Sequence, residues 1–394
     1  MKKNNNSLLV LTHQPLTKYY AERFGLKHLN KSKIKVTFLN LLFLVNRDLA
    51  NNYLGKNIVK YSQNYKNIKS YKSLFGEINK FNGDFFYINY LGKNHLINLI
   101  LIIYLRLKGG KRIVFQSGHN ALPKDTLFDR LSRFAKHKNL IKTFIFFLIK
   151  KIISFTAQAL ESKPFYFFVS SQYLYDLNLK KYPKKIQKVF GHDYFNYHQI
   201  KNQKKLADLS KKKYVLFIDQ EQELTFDHKI NFSKIPYIKS NYWERMESFF
   251  KYIEKKTGME VVIAAHYRRT NANFLRNRKV YFDKTALLTL HSSIVLTHDS
   301  NAISFAVICK KPIIFLILDE FKKRTKIVVI KTLSDLLKSL AVNIDGNYKK
   351  YFKRYYRKVS IKDYENYKKT HISFKKKIKV ENPWITIINK LESI

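Results

Sequence analysis

The chain has 394 residues, of which 45% are hydrophobic, and it carries a formal net charge of +47. This length and apolar content exclude a single small domain and a mainly disordered chain, and they favour two domains. The charge favours partners that bear phosphate, namely nucleotides, anionic lipid headgroups or nucleic acid. The single cysteine, Cys309, excludes an intrachain disulfide and a cysteine-based zinc site, which fits a cytoplasmic protein.

Three apolar stretches are candidates for a signal or membrane-spanning segment. Residues 8–11 form a run shorter than the roughly 7–15 residues of a signal-peptide core, and we predict a buried strand there. Residues 96–105 and 144–155 fall short of the roughly 18–20 apolar residues that a span needs. Residues 143–155 also contain lysines, which fits a helix lying on a bilayer surface as well as a helix buried in the domain.

The first half alternates short apolar runs with longer segments of helical pattern. Strands are predicted at residues 7–12, 35–42, 84–90, 112–116 and 165–170. Strands that alternate with helices indicate an α/β architecture with a largely parallel sheet. We assign this first domain to residues 1–205.

A second series of strands and helices follows a polar, basic stretch at residues 201–213, which we predict to be a linker. Strands are predicted at 214–219, 260–265, 293–297 and 312–317, with helices at 241–257, at 284–290 and from residue 301. This second domain covers residues 206–345, and residues 346–394 form a basic helical extension. The fold class is therefore α/β, with two Rossmann-like domains facing a cleft, where open α/β folds bind ligands.

A polar turn follows the predicted strand at 293–297 and leads directly into a helix. It contains His298, Asp299, Ser300 and Asn301, and Asp299 or Ser300 is a natural N-cap. The first helical amides would lack intrahelical partners, and with the helix dipole they would form an anion site. An ordinary capped helix is the alternative interpretation.

A second polar turn follows the predicted strand at 260–265, on what we expect to be the neighbouring strand of the same sheet. Arg268 and Arg269 offer fork-shaped recognition of phosphate. His266 is suited to bind a phosphate oxygen or to act as an acid toward a departing phosphate. A solvated loop is the alternative. Thr285, at the start of the next helix, is either a helix cap or a ribose contact.

The catalytic base has no clear signature in the sequence. His13 follows the first strand, and His119 follows Gly118, which permits close approach of a ligand. Asp219 and Glu221 follow the first strand of the second domain and are expected to face the same cleft, where orienting the hinge and binding ribose are alternative roles. The sequence has no Asp-x-Asp pair and no cluster with the spacing of metal ligands, so we predict no metal site.

Residues 214–317 resemble the C-terminal domain of GT-B glycosyltransferases that build capsules and other surface carbohydrates. The resemblance rests on the stretches YVLFIDQE, VVIAAHYRRTN and KTALLTLHSSIVLTHDSNAISFAVICKKPIIFL. The order is also similar to that of bacterial sialyltransferases and polysialyltransferases, whose His-Pro and Ser-Ser/Thr motifs hold a cytidylate donor. This chain departs from them with Tyr267 in place of proline and Asn301 in place of serine or threonine, and it has no Asp-Asp-Gly segment.

The resemblance implies a GT-B glycosyltransferase that is inverting and independent of metal. Its substrates would be a CMP- or UDP-linked sugar and a glycan or lipid-linked acceptor of capsule or lipopolysaccharide, with no cofactor. His266 would contact the donor phosphate, while His298, Ser300 and Asn301 would line the phosphate or ribose. The apolar stretch at residues 143–155, the basic tail and the large positive charge predict a cytoplasmic protein at the inner leaflet, where a lipid-linked acceptor would lie.

Two other functions compete with this interpretation. A sugar-nucleotide epimerase of the related two-domain fold would convert a free nucleotide sugar without an acceptor. A nucleic-acid binder would account for the charge, but the sequence lacks a helix-turn-helix, zinc or aromatic RNA-binding signature. We therefore predict no nucleic-acid partner.

Overall fold

The structure is a computed structural model, and it places the chain in two parallel sheets with helices packed around them. It describes residues 7–53, 65–81, 85–92, 95–118, 140–210, 212–223, 226, 230, 241–269, 278–321, 325–349 and 358–394.

The first sheet consists of seven parallel strands in the order β3-β2-β1-β4-β5-β6-β7. Its strands are β1 (Ser7–Thr12), β2 (Lys35–Asn40), β3 (Tyr65–Asn67), β4 (Phe86–Asn89), β5 (Lys111–Gln116), β6 (Tyr166–Val169) and β7 (Ile186–Lys188). The helices that accompany it are α1 (Lys18–Arg23), α2 (Leu26–Leu29), α3 (Leu42–Val45), α4 (Arg47–Tyr53), α5 (Tyr71–Ile78), α6 (Leu96–Leu107), α7 (Leu140–Leu160), α8 (Gln172–Leu179) and α9 (His192–Ile200).

The second sheet has six parallel strands in the order β10-β9-β8-β11-β12-β13. Its strands are β8 (Tyr214–Ile218), β9 (Glu260–Ala264), β10 (Val280–Tyr281), β11 (Ile294–Thr297), β12 (Ile313–Ile317) and β13 (Leu340–Asn343). Its helices are α10 (Tyr242–Thr257), α11 (Thr285–His291), α12 (Ile303–Ile308) and α13 (Thr325–Leu337), and the chain ends with α14 (Ile361–Tyr367), a π-helical turn (Lys368–Ile372) and α15 (Pro383–Glu392).

Continuous apolar runs form the central strands of both sheets because helices cover both faces of a parallel sheet. All five residues of β8 and of β12 are buried. Separate hydrophobic clusters cover the two faces of the first sheet, and a larger cluster surrounds the second. These cores confirm the predicted α/β class with two Rossmann-like domains.

Residues 358–394 pack on both domains. Tyr364 and Tyr367 of α14 lie in the core of the second domain, whereas Trp384 of α15 is fully buried in the core of the first. The Trp384 indole donates to the carbonyl oxygen of Arg23 at 2.7 Å. Gly25, with a φ of 66°, makes room for this ring, because a Cβ there would lie 2.2 Å from it. The end of the chain thus supports α1.

One expectation about the second sheet is wrong. The polar turns that follow β9 and β11 do not lie on neighbouring strands, because β8 pairs with both and separates them. The residues after β8, among them Asp219 and Glu221, therefore occupy the middle of the sheet edge. Their carboxylates therefore lie between the two polar turns and determine which charges of the site are neutralised.

Candidate functional site

A cleft of about 840 Å³ lies between the two domains. On the first-domain side it is lined by residues of α1 and α9. On the other side it is lined by the turns after β8, β9 and β11 and by the start of α11. Carboxyl ends of parallel strands meet there, as expected for a ligand crevice. His266, Thr285 and Ser300 all line this cleft, so the two motifs singled out in the sequence share one cavity.

The turn after β8 organises the second-domain side. Asp219 is 2% exposed and accepts hydrogen bonds from the backbone N–H groups of Glu221 (2.9 Å) and His266 (3.1 Å). Glu221 is 3% exposed and has a left-handed φ of 54°, a strained conformation for a residue with a side chain. Asp219 thereby ties the turn after β8 to the turn after β9.

The two arginines expected to bind phosphate are already paired with these carboxylates. Arg268 donates to Glu221 from Nε at 2.6 Å, and its guanidinium lies over the ring of Phe226 at 4.5 Å. Arg269 pairs with Asp219 and donates from Nη2 to Glu223 at 2.6 Å. Arg268 lines the cleft, whereas Arg269 is not among the described residues that line it. The two arginines thus hold the turn after β9 against the turn after β8.

His266 is held by the same network. Its Nδ1 lies 3.3 Å from Oε2 of Glu221, and its ring lies 4.1 Å from that of Tyr267. Burial alone would raise the pKa of the Glu221 carboxyl, but His266 and Arg268 outweigh burial and hold this pKa below its ordinary value. Glu221 is therefore ionised at neutral pH and orients the imidazole toward the cleft.

His298 does not line the cleft, contrary to expectation. Its side chain is fully buried, with Nδ1 2.7 Å from the carbonyl oxygen of Leu316 and Nε2 3.0 Å from the hydroxyl of Tyr242. Burial and Lys326 lower the pKa of His298 to about 4. The imidazole is neutral and holds β11 against β12 and α10.

Ser300 and Asp299 reach the cleft, but the turn is built differently from a simple helix cap. Ser300 Oγ accepts from the Ala302 N–H at 3.1 Å, and the Ser300 carbonyl accepts from the Ile303 N–H at 3.2 Å. The N-cap is Ala302, and two of the amides expected to be free are already satisfied. Asn301 also lines the cleft.

Asp299 is fixed by the turn after β8 and by α13. Gln220 accepts from the backbone N–H of Asp299 at 3.0 Å, and its amide donates to Asp299 Oδ1 at 2.9 Å. Lys326 Nζ lies 2.9 Å from the same oxygen. Burial would raise the pKa of the Asp299 carboxyl, but Lys326 outweighs it, and the pKa lies below its ordinary value.

Aromatic residues of α1 meet the second domain across the cleft. The ring of Tyr19 stacks on that of Tyr267 with centroids 4.5 Å apart. The hydroxyls of Tyr20 and Tyr267 are 3.0 Å apart. Arg23, on the same helix, donates from Nη2 to the carbonyl oxygen and the hydroxyl of Ser117, each at 3.3 Å. The sequence motifs did not indicate that α1 lines the cleft, because tyrosines at a helix start have no characteristic signature.

A small pocket of about 40 Å³ adjoins the cleft and is lined in part by the first domain. Its wall includes Gly118, Ser170 and His192, which follow or lie near the carboxyl ends of strands in the first sheet. His192 is 6% exposed, and its Nδ1 has no hydrogen-bond partner among the described residues. Burial, with Arg23 nearby, lowers the pKa of His192 to about 4. Asp193 lines both this pocket and the cleft, and it accepts from Ser304 Oγ at 2.6 Å.

The two histidines predicted as catalytic bases do not gain support. His13 is 7% exposed, packs 6.0 Å from the ring of His95, and is not among the described residues that line the cleft. His119 lies outside the described residues. The pair Gly191-His192 after β7 shows the same strand-end pattern as Gly118-His119, and this pattern was the signal that could have identified His192. No group of three potential metal ligands occurs within the described ranges.

Comparisons with known proteins identify the fold. No protein-family model matches the chain, and no curated protein matches it. The wall teichoic acid polymerase TagF superposes with a TM-score of 0.53 at 11% identity, covering 99% of this chain and 89% of that chain. The calicheamicin glycosyltransferase CalG4 superposes with a TM-score of 0.51 at 10% identity, covering 99% of this chain and 98% of that chain. A UDP-GlcNAc 2-epimerase from Methanocaldococcus jannaschii gives a TM-score of 0.44.

At such low identity these likenesses concern the fold alone. The likenesses to TagF and CalG4 confirm the predicted GT-B arrangement of two Rossmann-like domains around a cleft. The resemblance to capsule enzymes and the motif order of sialyltransferases remain predictions.

Proposed function

We propose that the protein is a glycosyltransferase that moves a sugar from a CMP- or UDP-linked donor to a surface polysaccharide or a lipid-linked acceptor. The observation that carries this proposal is the single cleft that His266, Thr285 and Ser300 share at the edge of the second sheet. A cleft of about 840 Å³ has the size of known small-molecule sites. The names of TagF and CalG4 describe a polymerase of wall teichoic acid and a glycosyltransferase, which supports sugar transfer on this fold.

The donor phosphate would lie between the turns after β9 and β11. The Ser300 hydroxyl and Nε2 of a protonated His266 would donate to its oxygens, and Thr285 would contact the ribose. Arg268 and Arg269 would act indirectly, because their charges are neutralised by Glu221 and Asp219. A network whose charges are already paired needs no rearrangement when charge develops on the leaving phosphate.

The reaction would be a direct displacement with inversion, independent of metal. An acceptor hydroxyl oxygen bonds to the anomeric carbon while the bond from that carbon to the donor phosphate oxygen breaks. The acceptor proton passes to a base on the first-domain side, and the nucleotide leaves as the phosphate anion. Asp193 and Glu22 are carboxylates that α9 and α1 bring to the cleft there. His119 stays a candidate for the base.

A thermal-shift screen with cytidylate, uridylate and guanylate nucleotides tests the proposal. A nucleotide at about 100 times its dissociation constant stabilises the native state by about 2.7 kcal/mol, which raises the melting temperature. The sugar-linked form of the binding nucleotide should then be consumed only when a glycan acceptor is added. Absence of binding by every nucleotide would contradict the proposal, and conversion of the donor without an acceptor would indicate an epimerase.

We also propose that the reaction takes place in the cytoplasm at the inner leaflet, where a lipid-linked acceptor is anchored. The net charge of +47 supports this location, because anionic headgroups attract it. In the part of the chain that the structure describes, no helix has both the length and the apolar character to cross a bilayer.

A further inference from the structure

An outward-facing apolar stripe runs along α7. Its described members are Ile145 (52% exposed), Leu148 (39%), Ile149 (49%), Ile152 (62%) and Phe155 (74%). At 100° per residue these five side chains occupy an arc of about 120°. A helix on a protein surface ordinarily places polar residues on its outer arc, so this stripe requires an explanation.

The stripe points away from the domain and not into it. Ala157 is the buried residue in the last turns of α7, and on a helical wheel it lies roughly opposite the stripe. The apolar side chains are therefore not a loosely packed core. Lys151 is exposed on the flank of the stripe.

The neighbouring helix α6, which packs beside α7, repeats the pattern. Leu96, Ile103 and Leu107 are 60%, 42% and 79% exposed and follow one another on a single face, while Leu101 and Leu105 are fully buried on the other face. Arg106, beside Leu107, is exposed. Two adjacent helices thus expose large aliphatic side chains that are bordered by basic residues.

The net charge of the chain indicates which partner covers this surface. A second copy would bring another net charge of +47 against the first, and the two would repel each other. A bilayer with anionic lipids attracts the same charge and accepts the apolar side chains below its headgroups. Aliphatic and aromatic residues with a basic border are typical of helices that lie in the membrane interface.

We propose that α7, with the exposed face of α6, inserts into the surface of an anionic bilayer and anchors the first domain there. This inference deepens the proposed location at the inner leaflet, but it does not require that the cleft bind a nucleotide. The donor-binding screen is performed on dissolved protein, so its failure and the failure of membrane binding are distinguishable.

Vesicle flotation of the full chain tests the proposal. Wild type should float with vesicles of phosphatidylglycerol and phosphatidylcholine and remain unbound with phosphatidylcholine alone, and added salt should weaken binding. The triple variant Ile149→Ser, Ile152→Ser and Phe155→Ser should partition about 100-fold less, because three large apolar contacts are lost. Wild-type partitioning of this variant would overturn the proposal.

A matched variant controls for the general loss of apolar surface. Leu177→Ser, Val328→Ser and Val380→Ser remove side chains that are 63%, 46% and 47% exposed elsewhere, and partitioning should change by less than about twofold. Phe155→Trp adds a direct reporter, whose emission should shift to shorter wavelength only with anionic vesicles. An unshifted emission, or a dimer in sedimentation that the triple variant dissolves, would also contradict a bilayer as the occupant.

Discussion

The two sides of the cleft differ in how their buried charged groups are held. On the second-domain side, buried carboxylates and arginines neutralise one another, as in the pairs of Asp219 with Arg269 and Glu221 with Arg268. On the first-domain side, Arg23 donates to the neutral Ser117, and His192 keeps a buried nitrogen without a partner among the described residues. Buried atoms without a hydrogen-bond partner also occur among the described residues of the second domain, such as Glu223 Oε2 and Thr297 Oγ1, so the contrast between the sides lies in the ion pairs.

This difference suggests a division of labour between the domains. A paired network holds a fixed geometry, which suits a constant ligand such as the nucleotide of a donor. We therefore expect substitutions on the second-domain side to affect stability strongly, and those on the first-domain side to affect it little.

The largest expected effect is that of Asp219→Asn. The change removes the charge that neutralises Arg269 and weakens the acceptor of two backbone N–H groups. Breaking a buried ion pair from one side costs about 3–5 kcal/mol of unfolding free energy. Urea unfolding measures this loss of unfolding free energy. Asp335→Asn, at an exposed position of α13, is the control. A loss below about 1 kcal/mol would show that the network contributes little.

Lowering the pH should destabilise the protein through its buried histidines. The pKa values of His192 and His298 are lowered to about 4 in the folded state. Between pH 6.5 and 4 the unfolded chain therefore binds protons that the folded chain does not. The contribution of the two neutral histidines to the free energy of unfolding is fully present above pH 6.5. As the pH falls to 4, each histidine lowers that free energy by about 3 kcal/mol. Urea unfolding at a series of pH values should give a flatter profile for His298→Leu.

A paired substitution compares the two sides directly at neutral pH. His298→Leu leaves the Tyr242 hydroxyl and the Leu316 carbonyl without their partner, which should cost about 2–3 kcal/mol. Among the described residues, His192→Leu removes a single contact of 3.4 Å to Asn196, and it should cost less than about 1 kcal/mol. Equal losses in urea unfolding would mean that the contrast between the sides is not energetic.

The smallest expected effect concerns the contact between the domains. Tyr267→Phe removes a hydroxyl that lies 3.0 Å from Tyr20 and accepts from Arg268 Nη1 at 2.9 Å. The stacking on Tyr19 is retained, so the loss should be about 1 kcal/mol. Tyr71→Phe, at a position that is 47% exposed, is the control and should be neutral. A loss above about 3 kcal/mol would make this tyrosine a main support of the interface.

The fold could be predicted because central parallel strands are continuous apolar runs. Ser7–Thr12 matches its prediction, and Ile313–Ile317 differs by one residue. The strands that were not predicted, β3, β7, β10 and β13, have two to four residues and are partly exposed. In such short segments apolar periodicity is too brief to distinguish a strand from a loop.

The site could be predicted only in part, since the sequence locates the ends of strands but does not show which side chains pair there. His266 and Ser300 share the cleft as expected. The neutralisation of Arg268 depends on Glu221, which lies 47 positions earlier in the chain and adjoins it because β8 pairs with β9. The buried position of His298 behind β11 likewise depends on a residue that is distant in the sequence, Tyr242 of α10. Such pairings follow from sheet order, which local patterns do not encode.

Titration calorimetry of the best-binding nucleotide against wild type, Ser300→Ala and Ser300→Leu tests the central claim most directly. Ser300→Leu should weaken binding more than tenfold, because a bulky side chain would occupy the space between the turns after β9 and β11. Ser300→Ala should weaken it only a few-fold, through the lost hydroxyl. Equal affinity of all three proteins would show that the nucleotide does not bind at this turn.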